Sequence, residues 1–122
     1  MGAPGVSVVS LGEVEPIELP NGSWSRMLVA DDRVPGTRAS LGYSVFTPGT
    51  ELQPVRHETE EVAYVVSGSG ELLLDEGTVA FAAGDALHIP GGVWHAVANT
   101  GAEDVVMVFG FPHPGYPPTE RR

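Results

Sequence analysis

The chain has 122 residues, with 16 glycines, 11 prolines, no cysteine and a formal net charge of -10. That length holds one domain around a single core, and the missing thiols exclude disulfides, cysteine nucleophiles and sulfur-ligated metals. So acidic a chain, with arginine as its only basic residue apart from histidine, argues against nucleic acid or an anionic membrane surface as partner.

Met1–Ser10 has neither a basic start nor a long apolar segment, and no stretch reads as a membrane span, so a cytoplasmic location is expected. Glycine, proline and short apolar runs favour strands and turns over helices. Val6–Val9 and Ile17–Leu19 are short candidate strands, the second bracketed by Pro16 and Pro20 and so expected on a sheet edge. Trp24–Ala30 and Ala39–Phe46 follow, the latter ending in the turn Thr47-Pro48-Gly49. Leu52–His57 is next, and a period of two puts Gln53, Val55 and His57 on one face. Glu61–Val66 places Glu61, Ala63 and Val65 on one face. Ser67-Gly68-Ser69-Gly70 reads as a hairpin turn into Glu71–Asp75, and Glu76-Gly77 turns again into Thr78–Ala82. Ala86–Ile89, Trp94–Ala98 and Asp104–Phe111 complete the strands, and the proline-rich end, residues 112–122, reads as an irregular tail. Many short strands separated by glycine turns predict an all-β sandwich or small barrel.

Two segments, residues 49–68 and 84–99, carry the chemistry. The second has Gly84, Pro90, Gly92, His95 and Asn99 at the spacing Gly, five residues, Pro-x-Gly, two residues, His, three residues, Asn. The first has Gly49, His57, Glu61 and Gly68 in the register Gly, five residues, His-x-His, three residues, Glu, six residues, Gly, with Val55 where the first histidine would stand. In these motifs the chain resembles the cupin superfamily. That resemblance implies a single-domain double-stranded β-helix over residues 1–122, a jelly roll, often dimeric, with one divalent metal ion held between the motifs.

The expected ligands are His57, Glu61 and His95. Two imidazoles and a carboxylate form the set used by non-haem Fe(II) oxygenases, with coordination positions left for substrate and dioxygen, and Val55 leaves one flank of that set apolar. Gln53 is a candidate weak ligand or substrate contact. Val55, Ala63, Val65, His88 and Arg38 are candidate cavity-lining residues, although a histidine in an apolar strand is more often a satisfied structural residue and an arginine among many acids more often forms a surface ion pair. The competing reading of the triad is a polar network that has lost its metal, at the cost of burying Glu61 without a cation. Tyr43, Phe46 and Tyr64 read as packing, Trp24 as a core or interface aromatic, His113 as solvent-exposed, and Glu60 as the rival ligand to Glu61.

The leading functional expectation is an oxidoreductase, an Fe(II)-dependent oxygenase or dioxygenase acting on a small organic molecule in the barrel. The second is a non-redox cupin (polyketide cyclase, isomerase, lyase or decarboxylase) using Zn, Mn or Ni. The third is a ligand-binding cupin without catalysis. A homodimer is expected, with Trp24, Trp94 and the edge strands as its surface.

Overall fold

The structure, a computed structural model, describes residues 5–122; the first four residues of the Met1–Ser10 stretch therefore lie outside it. In chain order the strands are β1 (Ile17–Glu18), β2 (Trp24–Val29), β3 (Ser40–Phe46), β4 (Val55–His57), β5 (Glu61–Ser67), β6 (Ser69–Leu74), β7 (Gly77–Ala82), β8 (Ala86–Ile89), β9 (His95–Ala98), β10 (Val105–Phe111) and β11 (Thr119–Arg121). They form two antiparallel sheets with orders β1-β2-β3-β10-β5-β8 and β11-β4-β9-β6-β7. This is the jelly roll that the cupin resemblance implies, within the all-β sandwich or barrel that the strand pattern predicts.

Alternation decides which side chains fill the space between the sheets. On β3 the residues Ser40, Gly42, Ser44 and Phe46 are buried while their neighbours are open or half-open. On β5 Ala63 and Val65 are buried and Val62, Tyr64 and Val66 are exposed, the period-two signature of a sheet with one face inward. Phe46, Val65, Leu72, Phe81, Ile89, Val105, Met107, Phe109 and Phe111 belong to one continuous core. Burial of that apolar set supplies the main drive for the two sheets to close on each other.

Several expected boundaries move. Val6–Val9 is not a strand. Leu52–His57 keeps regular pairing only at Val55–His57, although Glu51 still bridges Ala98 and the Leu52 amide donates to the Val97 carbonyl. Ser67–Gly70 is not a hairpin turn, because β5 and β6 lie in different sheets. The chain crosses from one sheet to the other at Gly68, whose φ is +85° and where a side chain would strike the backbone of Asp104 and Val105. Glycine alone fits such a crossing. The turn expected at Glu76-Gly77 does form a hairpin, one residue earlier at Asp75-Glu76, between the paired residues Leu74 and Gly77. The tail is not wholly irregular: Thr119–Arg121 pairs with β4 as an edge strand.

Candidate metal centre

His57 closes β4 in one sheet and Glu61 opens β5 in the other, so the short link between them carries both side chains to the same end of the barrel. His95 opens β9, which pairs with β4 through Val55 opposite His95. The turn Pro90–Gly92 holds this arrangement: the Gly92 amide donates to the His57 carbonyl at 2.8 Å. A side chain on Gly91 would collide with the Glu58 carbonyl oxygen at 2.6 Å. The motif residue Asn99 has a structural task, donating to the carbonyls of Phe46 and Glu103 and accepting from the Gly101 amide.

One donor atom from each of His57, Glu61 and His95 lies within 4.8 Å of the others. Glu61 Oε1 is 3.3 Å from His57 Nε2 and 3.5 Å from His95 Nε2, with side-chain exposures of 13%, 10% and 7% for Glu61, His57 and His95. The far nitrogens fix the tautomers. His95 Nδ1 faces the Val93 carbonyl at 2.9 Å, and a carbonyl only accepts, so this nitrogen carries the proton. Thr119 spends its hydroxyl proton on the Pro117 carbonyl, 2.8 Å away, and therefore accepts from His57 Nδ1 at 2.7 Å. In the neutral rings both Nε2 lone pairs then aim at a carboxylate oxygen. Three acceptors pointed at one another need a positive charge between them, either a proton or a metal ion.

The titration directions agree with that picture. Burial by itself pushes Glu61 up, but hydrogen bonds and charge from His57 and His95 outweigh it and hold the carboxyl below its usual range. Burial pushes His95 down, and hydrogen bonds to Glu61 and the Val93 carbonyl, with the Glu61 charge, leave it above its usual value. The chemistry of the donor set, two oriented imidazoles and a carboxylate, fits a divalent transition metal.

The triad lies in the wall of a cavity of about 580 Å³. Gln53, Val55 and Ala63 also line it, together with Phe109, Phe111, Tyr116, Thr119 and Arg121. The other residues that the sequence suggested fall elsewhere, for reasons of strand parity and depth. Val65 points inward but is fully buried in the core beyond the cavity. His88 pairs with Val62 on the outward face of β8 and contacts the exposed Glu60 at 2.8 Å, so neither reaches the site. Arg38 is exposed in the loop before β3 and is not part of the cavity wall. Tyr64 is half-exposed rather than packed, Tyr43 stacks on Trp24 outside the core at 5.9 Å, and His113 is half-buried with Nδ1 lacking a partner. Sequence reasoning missed Thr119 and did not place Tyr116 or Phe111 in the cavity wall, where the Phe111 ring meets His57 edge-on at 4.9 Å. All three lie in or beside a segment whose prolines signalled only irregularity.

A jelly roll with two histidines and a glutamate converging at one end of its cavity is a barrel whose donor set could hold a metal ion. The chain belongs to the cupin family: the cupin domain profile matches residues 42–111. It is 34% identical over 103 residues to the polyketide synthase CurC of Streptomyces cyaneus, covering 84% of this chain and 66% of that protein. It is 30% identical over 99 residues to the dimethylsulfoniopropionate lyase DddW of Ruegeria pomeroyi, covering 81% and 64%, and 35% identical over 94 residues to auxin-binding protein 1 of Arabidopsis thaliana, covering 69% and 48%. The chain thus spans about half to two thirds of the length of these curated relatives. Among solved structures, the polyketide cyclase RemF from Streptomyces resistomycificus superposes with a TM-score of 0.80 at 23% identity, over 95% of this chain and 84% of that one. Oxalate decarboxylase from Bacillus subtilis does so with a TM-score of 0.80 at 25% identity, over 91% of this chain and 30% of that one.

Proposed function

We propose that the chain is a metal-dependent cupin enzyme of the cyclase or lyase kind, acting on a small, largely apolar molecule that carries a carbonyl. The observation that carries this reading is the convergence of two tautomer-fixed imidazoles and Glu61 in the wall of a mainly apolar cavity. The relative DddW, a lyase, supports the lyase class, and the polyketide synthase CurC supports a polyketide-like substrate. His57, Glu61 and His95 would hold one divalent ion, Zn, Mn, Ni or Fe(II); the Bacillus decarboxylase has Mn(II) centres. Such an ion acts as a Lewis acid that polarises a carbonyl oxygen. The chain's own contribution is to exclude water with Leu52, Phe109 and Phe111 and to place the substrate's apolar body against Val55 and Ala63.

The Fe(II) oxygenase is the second reading, favoured by one specific observation: Val55 lies in the cavity wall beside His95 and leaves that flank of the triad without a donor. Metal analysis after purification without added metal is the first test, followed by turnover of a ketone-bearing aromatic polyketide intermediate in air and under argon. Turnover under argon with Zn or Mn supports the cyclase or lyase reading. Dioxygen uptake with Fe(II) alone supports the oxygenase, and a protein that takes up no metal defeats both in favour of a ligand-binding cupin.

A homodimer and a cytoplasmic location belong to the same proposal. No helix among the described residues is long and apolar enough to cross a membrane. The outer face of β5 leaves Val62, Tyr64 and Val66 exposed at 53%, 50% and 48%, an apolar surface of the kind that pairs copies of a chain. Trp94 contributes less, since Arg56 and Arg122 cover its ring.

A further inference from the structure

The triad occupies one end of the cavity, and the inward-facing rows of the larger sheet show what lies beyond it. Glu61 pairs with Ile89. The next row inward is Gly42, Phe109, Ala63 and Leu87, and the row after that is Ser25, Ser44, Met107 and Val65. Four residues along β5 separate the first row from the third, roughly 13 Å at strand rise. The middle row is apolar. Ser25 and Ser44 then reintroduce polarity, both lining the cavity, 7% and 3% exposed, with their hydroxyl oxygens 2.6 Å apart.

We propose that Ser25, Ser44 and Tyr116 form a second recognition site in this cavity, which takes an oxygen function at the far end of an elongated, largely apolar molecule whose near end meets His57, Glu61 and His95. The proposal rests on the reading of the triad given above and specifies the substrate: a fused-ring or similarly flat molecule with a hydroxyl or carbonyl at each end.

Two hydroxyls bonded to each other hold two protons and use one between them, so one donor and several lone pairs face an otherwise apolar wall. Tyr116 lines the same cavity as the two serines. Tyr116 is 43% exposed as a residue, yet burial, followed by the nearby Glu61 carboxylate, pushes its phenol up to about 12. The segment that presents it is anchored, since Ser40 Oγ donates to the Gly115 carbonyl at 3.1 Å. Phe109 and Phe111 pack against its ring at 6.1 and 5.9 Å, leaving flat aromatic walls between the two polar ends.

Two probes test this, a naphthol and the naphthalene diol with hydroxyls at opposite ends, titrated calorimetrically into zinc-loaded and metal-free protein. The diol is expected to bind roughly tenfold more tightly than the naphthol, the worth of one well-made hydrogen bond. The S25A/S44A double variant and, separately, Y116F should abolish that preference while leaving naphthol affinity unchanged; Y116F alters a residue outside the strands and so guards against misfolding of the double variant. Equal affinity for the two probes in the wild type, or a preference that survives in both variants, overturns the proposal and means that the serines only satisfy each other. The metal arm separates this from the triad reading: a diol preference with no effect of zinc on either probe keeps the second site and removes the metal-bound end.

Discussion

Thr119 Oγ1 lies 2.7 Å from His57 Nδ1, and through that contact the last strand of the chain fixes which nitrogen of His57 faces Glu61. The hydroxyl is held in turn by the Pro117 carbonyl. Partners of this kind on the far side of a ligating imidazole typically contribute ten- to hundredfold to metal affinity. Thr119→Val should lower zinc affinity by about that factor in a competition titration with a chelating dye, whereas Thr119→Ser should preserve it. Nitrogen NMR of the metal-free protein should show His57 protonated at Nδ1 in the wild type and mixed in the valine variant. Equal affinities for wild type and valine variant would show that Thr119 only closes the sheet.

His57→Ala and His95→Ala should each remove most of the bound metal, because each leaves one imidazole and one carboxylate. Elemental analysis of the purified variants checks it, and wild-type stoichiometry in both would mean that the metal sits elsewhere.

Val55 pairs with His95 across β4 and β9 and lines the cavity. Val55→His should therefore add a donor beside the triad and raise metal affinity by roughly tenfold or more. It should also slow any reaction that needs an open position on the ion. An unchanged titration would show that the new imidazole does not reach the cluster.

The pH dependence follows from opposite shifts. His95 has a raised pKa in the folded chain, so its charged form contributes stability below the usual value of 6.5, and this is lost as pH rises through the raised value. Glu61 has a lowered pKa, so its contribution is present above the usual value of 4.5 and is lost as pH falls through the lowered one. The metal-free pair is thus most stabilising between those two ordinary values. A metal ion held by His57, Glu61 and His95 would take the place of the proton on the imidazole and so escape the alkaline loss. The gain in melting temperature on adding zinc should increase from pH 6 to pH 8, as read by differential scanning fluorimetry across buffers. A constant gain would show that no proton is displaced from His95.

Gly68→Ala should cost about 2 kcal/mol or more, because the chain changes sheets there at φ +85° with the backbone of Asp104 and Val105 against it. Urea unfolding measures it. Gly36→Ala has a similar φ but no atom within 4 Å of the added carbon, so it isolates the conformational share and should cost less.

The barrel and the three side chains at its mouth are legible in the chain alone. Period-two alternation on β3 and β5 dictates which residues face inward, and the spacing of Gly84, Pro90, Gly92 and His95 places a histidine just after a sharp turn. These are local properties, readable without knowing what lies across the cavity. The rest required the folded molecule. The direction of His88, outward toward Glu60, depends on which residue of β5 it pairs with. The departure of Val65 from the cavity depends on how deep the core fills. The contributions of Ser25, Tyr116 and Thr119 come from strands and a tail far from both motifs along the chain. A site closed by such long-range pairing has no period to read, because hydrogen bonds across the barrel depend on where the chain returns and not on what precedes or follows each residue.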